Sequence, residues 1–252
     1  MSRTDLPPAR TWWLARGEQS TPAGELWLTP AEAERLTTLR FRKRRTEYLL
    51  RRWAGKQAVA TVLGLAGDER TAARIEVANR PDGSPVARLD GVPAPGCLSL
   101  SDRAGWALCL VTDERVDVGC DLELVEPRSD GFVTDFLTPA EQDVVRSAGG
   151  DRDAVANLLW SAKESVLKVL RTGLRRDTRS VEIVLDTGTP GEWAPLTGRL
   201  VEGGELPGWW MRQGSFALTV ASERALPPPV ALDERAVLAS ATPVHSWLAE
   251  PL

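Results

Sequence analysis

Two stretches decide the reading of this chain: Trp160-Ser-Ala-Lys-Glu-Ser-Val-Leu-Lys168 and its echo Trp53-Ala-Gly-Lys-Gln-Ala-Val59. Each follows a helix start of the same composition, Leu28-Thr-Pro-Ala-Glu32 before the earlier copy and Leu137-Thr-Pro-Ala-Glu141 before the later. Threonine as N-cap, proline at the first helical position and glutamate at the third predict a capping box in both. One capping box is commonplace. Two shared motifs in the same order, offset by 109 and 107 residues, predict a duplicated unit.

Around the helices the pattern turns to short apolar runs separated by turn signals such as Pro81-Asp-Gly83 and Asp186-Thr-Gly188. Strands are predicted at 73–78, 97–101, 105–112, 116–125, 180–185, 196–201, 208–212 and 216–221. Each half therefore reads as a helix pair with a small antiparallel sheet, an α+β unit. We place the N-terminal half at 1–115, the C-terminal half at 116–224 and a Pro-rich arm at 225–252, with the boundary near Asp113–Asp117.

Composition narrows the function. A chain of 252 residues that is 42% hydrophobic and 26% charged can bury one large core or two small ones. It has no run of about 18 apolar residues and no signal-peptide stretch at its start, so a cytoplasmic protein without membrane contact is expected. Cys97, Cys109 and Cys120 lack CxxC spacing and read as reduced core residues. His245 is the single histidine, which excludes a two-histidine site and argues against Ser-His-Asp or Cys-His hydrolysis. A net charge of −4 disfavours a nucleic-acid module. Yet the segment from Arg40 to Lys56, RFRKRRTEYLLRRWAGK, holds eight positive charges and one negative. It is either the contact for an anionic partner or a solvated helix face.

The chemistry-bearing residues gather in the second half. Of 31 lysines and arginines only four are lysine (Lys43, Lys56, Lys163, Lys168), and two of the four lie in the 160–168 segment. An ammonium is a compact donor suited to phosphate oxygens or proton transfer. In Val116-Asp-Val-Gly-Cys-Asp-Leu-Glu-Leu124, alternation on a strand puts Asp121 and Glu123 on one face. Alone this is a wet sheet face, and Glu164 with Lys168 is an ordinary one-turn helix pair. If strand and helix meet, Asp121, Glu123 and Glu164 form a hard-cation site suited to Mg²⁺ beside substrate phosphates. The first-half copy has Gln57 in place of Glu164, so charge is supplied at that position by one half alone.

Gly119-Cys-Asp-Leu-Glu123 followed by the 160–168 segment resembles the paired signature of 4′-phosphopantetheinyl transferases, G-[IVC]-D-[IVL]-E and W-x-x-K-E-[AS]-x-x-K. Leu98-Ser-Leu-Ser101, the basic helix and the two-half organisation, over about residues 25–222, resemble the monomeric pseudo-two-fold type that serves non-ribosomal peptide and polyketide synthases. The resemblance implies Mg²⁺-dependent transfer of 4′-phosphopantetheine from coenzyme A to a carrier-protein serine, releasing 3′,5′-ADP. It implies Asp121, Glu123 and Glu164 as metal ligands, with Glu141 at an acidic position near the metal or its waters. It implies Glu164 and Lys168 as catalytic residues, and Arg52, Lys56, Ser101, Asp102, Arg103, Lys163 and Lys168 around the coenzyme. The family usually has histidine where this chain has Asp102, and Gly-Lys-Pro or Gly-Arg-Pro where it has Gly83-Ser84-Pro85. A carboxylate facing a phosphate is repulsive, so Arg103 is expected to swing in with Asp102 as its ion-pair partner. The alternative is a repurposed relative that binds a carrier protein or another ligand without modifying it.

Overall fold

The computed structural model describes residues 10–234 and 236–245. The first half runs β1 (Thr11–Gly17), α1 (Pro30–Thr37), α2 (Arg42–Val62), α3 (Glu69–Ala72), β2 (Ile75–Asn79), β3 (Pro85–Leu89), β4 (Val92–Pro93), β5 (Leu98–Arg103) and β6 (Trp106–Thr112). The second runs β7 (Val118–Leu124), α4 (Asp130–Phe136), α5 (Pro139–Ser147), α6 (Arg152–Val169), β8 (Val181–Leu185), β9 (Ala194–Leu200), β10 (Glu205–Gln213) and β11 (Phe216–Ser222). β12 (Val230–Ala231) follows in the arm. The protein is an α+β fold.

Both capping boxes form. Thr29 Oγ1 accepts from Glu32 N while Glu32 Oε2 accepts from Thr29 N at 2.9 Å. Thr138 and Glu141 repeat the exchange, the return bond at 2.7 Å. Each glutamate then spends its second oxygen on the strand that follows the long helix. Glu32 Oε1 accepts from Val77 N at 2.9 Å and Glu141 Oε1 from Ile183 N at 2.7 Å.

The sheets match in the same way. One has strand order β12-β1-β6-β5, the other β7-β11-β10-β9-β8, and β2-β3-β4 form a third. β1 lies antiparallel along β6 as β7 lies along β11, pairing Leu14 with Cys109 and Asp121 with Thr219. Trp106-Ala-Leu-Cys-Leu-Val-Thr112 and Phe216-Ala-Leu-Thr-Val-Ala-Ser222 thus occupy equivalent strands. The two sheets face each other across a core that includes Trp13, Leu108, Leu110, Cys120, Leu122, Phe216 and Leu218. α2 buries Leu50, Ala54 and Ala58 against the first sheet; α6 buries Leu159, Ala162 and Val166 against the second. Each such side chain removed from water contributes about 1.5–3 kcal/mol, less for alanine.

β1, β3, β4 and β12 lie outside the strands predicted from sequence, and β1 matters most because it is the partner of β6. Its Trp12-Trp13-Leu14-Ala15 run lacks the alternation that marks a half-exposed strand, since both its faces are covered. The arm runs back over both sheets. Val230 and Ala231 pair in parallel with Trp12 and Trp13, Leu238 N donates to Gln213 Oε1, and Trp106 Nε1 donates to Thr242 O. The end of the expected arm, 246–252, lies outside the described residues. Among the described residues no helix is long and apolar enough to cross a membrane.

Candidate active site

α6 approaches β7 unusually closely because residue 119 has no side chain: a Cβ there would meet Ser165 O at 2.0 Å. Ser161 and Ser165 reinforce the contact, each within hydrogen-bond distance of Thr219 Oγ1, at 2.9 and 2.7 Å. The close approach lets Lys168, at the end of α6, reach β7. Its ammonium donates to Cys120 O at 2.6 Å and Asp121 Oδ1 at 2.9 Å. Burial pulls the Lys168 pKa down, but Asp121 and its neighbours outweigh burial and hold it above the ordinary value. Lys168 is therefore a charged donor. One turn earlier, Glu164 is pushed the other way: burial and Asp121 raise its pKa against the pull of Lys168. Two buried carboxylate oxygens here, Asp121 Oδ2 and Glu164 Oε1, receive no hydrogen bond.

Strand alternation divides the next three residues. Ser99, Ser101 and Arg103 face β7: Ser99 Oγ accepts from Cys120 N at 3.0 Å, and Ser101 Oγ donates to Asp121 Oδ1 at 2.7 Å. Arg103 meets Glu123 at 3.3 Å and also Glu126. Asp102 points to the other side, toward α2, and pairs with Arg51. Neighbours on a strand cannot share a face, so the expected Asp102–Arg103 pair does not form. Arg51 takes that place.

Glu123 has company of its own. Trp160 Nε1 donates to Oε1 at 2.9 Å, and Arg128 Nη2 to Oε2 at 3.1 Å, beside Arg103. Burial and then Asp121 raise its pKa to about 7 against these donors. Among the described residues no group of three or more His, Cys, Asp and Glu side chains is arranged to hold a metal. Of the expected Asp121–Glu123–Glu164 set, Glu123 is engaged by two arginines and an indole. Asp121 and Glu164, each with an orphaned buried oxygen, do have the donor chemistry a hard divalent cation needs.

Two further expectations are corrected. Lys56 and Lys163 have no exposed surface. Lys56 Nζ lies 2.5 Å from Glu32 and donates to Trp27 O and Ala72 O, both at 2.9 Å. Lys163 Nζ lies 2.8 Å from Glu141 and donates to Thr178 O and Val181 O. Burial lowers both lysine pKa values while the glutamates oppose it. Neither lysine reaches a phosphate, and Glu141 is the buried partner of Lys163 rather than an acid beside a metal. One residue of helix is about 100°, so Lys163 points into the second half's core while Glu164 points toward Asp121.

A cleft of about 850 Å³ between the halves collects the rest. Arg35, Arg44, Arg51 and Arg52 line one wall with Ser101 and Asp102; Asp121, Glu164 and Lys168 line the other. Arg52 is held by Asn79 Oδ1 at 2.9 Å and lies over the Tyr48 ring, 4.6 Å from its centroid. Its Nε is buried without a partner, and burial lowers its pKa despite Tyr48. Gly83 and Pro85 reach the rim, but Ser84 turns aside to Asp82, its Oγ 2.6 Å from Oδ1. Sequence reasoning missed Arg51 and Asn79. A partial signal for Arg51 was available, since it lies one helical turn before Gly55, and a glycine within a helix is often a point of close packing.

This arrangement can neutralise and orient a phosphorylated ligand: donors on one wall face carboxylates and an ammonium on the other. A comparison with curated proteins finds no match. Among solved structures, the holo-[acyl-carrier-protein] synthase of Thermotoga maritima aligns at 18% identity with a TM-score of 0.32, covering 56% of this chain and 91% of that one. The family model described as 4′-phosphopantetheinyl transferase superfamily matches residues 117–220, the stretch that carries Asp121, Glu164 and Lys168. Over that segment, the chain is similar to the 4′-phosphopantetheinyl transferase superfamily.

Proposed function

We propose that this protein transfers the 4′-phosphopantetheine group of coenzyme A to a serine hydroxyl of an apo carrier protein. The carrying observation is the pair of orphaned buried carboxylate oxygens, Asp121 Oδ2 and Glu164 Oε1, beside the Lys168 ammonium in an arginine-walled cleft. In the reaction the serine oxygen bonds to the β-phosphorus of the coenzyme, the bond from that phosphorus to the bridging oxygen breaks, and 3′,5′-ADP departs. Lys168, held as an ammonium, donates to the phosphate oxygens. Glu164 accepts the serine proton. Arg51 and Arg52 hold the nucleotide end. Asp121 and Glu164 would hold Mg²⁺, which when bound neutralises charge on the phosphate oxygens. Positioning and charge neutralisation supply most of the catalysis in such a transfer, which is why no histidine is needed.

Both walls of the cleft come from one chain, which supports a monomer as the working unit. For the carrier, the exposed start of α2 offers positive charge to an acidic surface. Part of that charge is already met internally, with Lys43 and Arg44 near Glu47 and Arg45 near Glu25.

The test is intact-mass spectrometry of an apo carrier protein after incubation with the chain, coenzyme A and Mg²⁺. A gain of one phosphopantetheine group, absent with Glu164→Ala, supports the proposal. No gain across several carriers with a folded chain rejects it and favours a relative that binds without modifying.

A further inference from the structure

The Arg51–Asp102 pair lies on the cleft wall, with the two side chains 28% and 13% exposed. A bare carboxylate at this place would repel any phosphorylated ligand. Its setting is not bare. A Cβ on Gly55 would lie 3.6 Å from the Leu100 side chain, so α2 crosses β5 with Gly55 over Leu100. From Gly55 back to Arg51 is about 6 Å of helix, and from Leu100 on to Asp102 is about 6.6 Å of strand. The two steps match, and Arg51 comes to rest over Asp102. Arg51 Nη1 donates to Asp102 Oδ1, its only hydrogen-bond partner among the described residues. A guanidinium has five N–H donors in a fixed fork, so the others remain for a second anion.

Resting on the functional reading above, we infer that Asp102 is a positioning residue: it holds the Arg51 guanidinium over the cleft so that Arg51 binds a phosphate of coenzyme A. The pair recognises phosphate by fixed donors rather than by net charge. Asp102, at a place where a carboxylate looks harmful, improves binding.

The measurement is calorimetric titration of the full chain with coenzyme A, for the wild type, Arg51→Ala, Asp102→Asn and the double variant, with a melting temperature for each. Arg51→Ala is expected to raise Kd about tenfold or more, and Asp102→Asn about threefold to tenfold. The double variant should bind no more weakly than Arg51→Ala, because Asp102 acts only through Arg51. Tighter binding by Asp102→Asn, or losses that add in the double variant, would overturn the inference. Arg51→Gln, expected to match Arg51→Ala, serves if alanine unfolds the chain. Repeating the titrations with 3′-dephospho-coenzyme A locates the phosphate. A loss confined to coenzyme A assigns the 3′-phosphate, an equal loss with both assigns the pyrophosphate, and either supports Arg51 as the contact. A wild-type chain that binds neither coenzyme rejects the transferase reading itself, a result distinct from altered variants of a binding wild type.

Discussion

The two halves share a skeleton and differ in one corner. Where the second half has Asp121, Glu123, Glu164 and Lys168, the strand register and helix offset place Leu14, Arg16, Gln57 and Thr61 in the first. Gln57 is occupied with Gly67 O, at 2.9 Å, and Thr61 bonds back to Gln57 O. By contrast, the Glu32–Lys56 and Glu141–Lys163 pairs are present in both halves, and each glutamate accepts from the equivalent strand amide. What the duplication keeps twice holds the fold together. What it keeps once is the candidate site.

The sharpest way to break this comparison is to remove equivalent residues. Glu164→Ala is expected to lower carrier modification by about three orders of magnitude, roughly 4 kcal/mol, in single-turnover assays. Gln57→Ala should leave the rate within about twofold, and a matching loss there would end the division of labour. Next come the paired ions. Lys56→Met and Lys163→Met each leave a buried carboxylate without its cation, and each should cost about 3–5 kcal/mol in denaturant unfolding. Clearly unequal losses would mean that only one half depends on its pair.

These lysines also show how far the sequence could be read. The capping boxes, the helix pairs and the 119–123 and 160–168 segments were legible because each is a local pattern with a local cause. The burial of Lys56 and Lys163 was missed because a lysine beside Glu164 looks like a phosphate donor. Yet the pattern was there to read: glutamate and lysine recur together in both copies, at offsets 109 and 107, while Glu164 does not recur. The Arg51–Asp102 pair and the diversion of Glu123 to Arg103 and Arg128 depend on contacts between elements far apart in sequence, which no local pattern carries.

A smaller effect concerns the close approach of α6 to β7. Gly119→Ala must push Ser165 O away from β7 and so lengthen the reach of Lys168 to Asp121. A fall in kcat of about tenfold is expected, with coenzyme affinity changed less. Equal changes in both would point to general disruption. The smallest effect is in pH dependence. The Glu123 pKa, raised to about 7 in the fold, lies above its unfolded value, so the folded state binds the extra proton. In metal-free protein its stabilising contribution is complete below about pH 4.5 and is lost as pH rises toward 7. Glu123→Gln should flatten that part of the melting-temperature profile, and an unchanged slope would assign the titration to another group.

The edges of the two sheets are closed by different materials. The outer rim of β1 is covered by main chain: β12 lies along it, and Leu232 N donates to Trp13 O at 2.9 Å. On β7 the outward amide and carbonyl of Cys120 go instead to side chains, the Ser99 hydroxyl and the Lys168 ammonium. An unpaired strand edge invites another chain to add to it. The ammonium at the heart of the cleft therefore also occupies a strand edge that would otherwise be open, and the half without that ammonium has its edge closed by the returning tail of the chain.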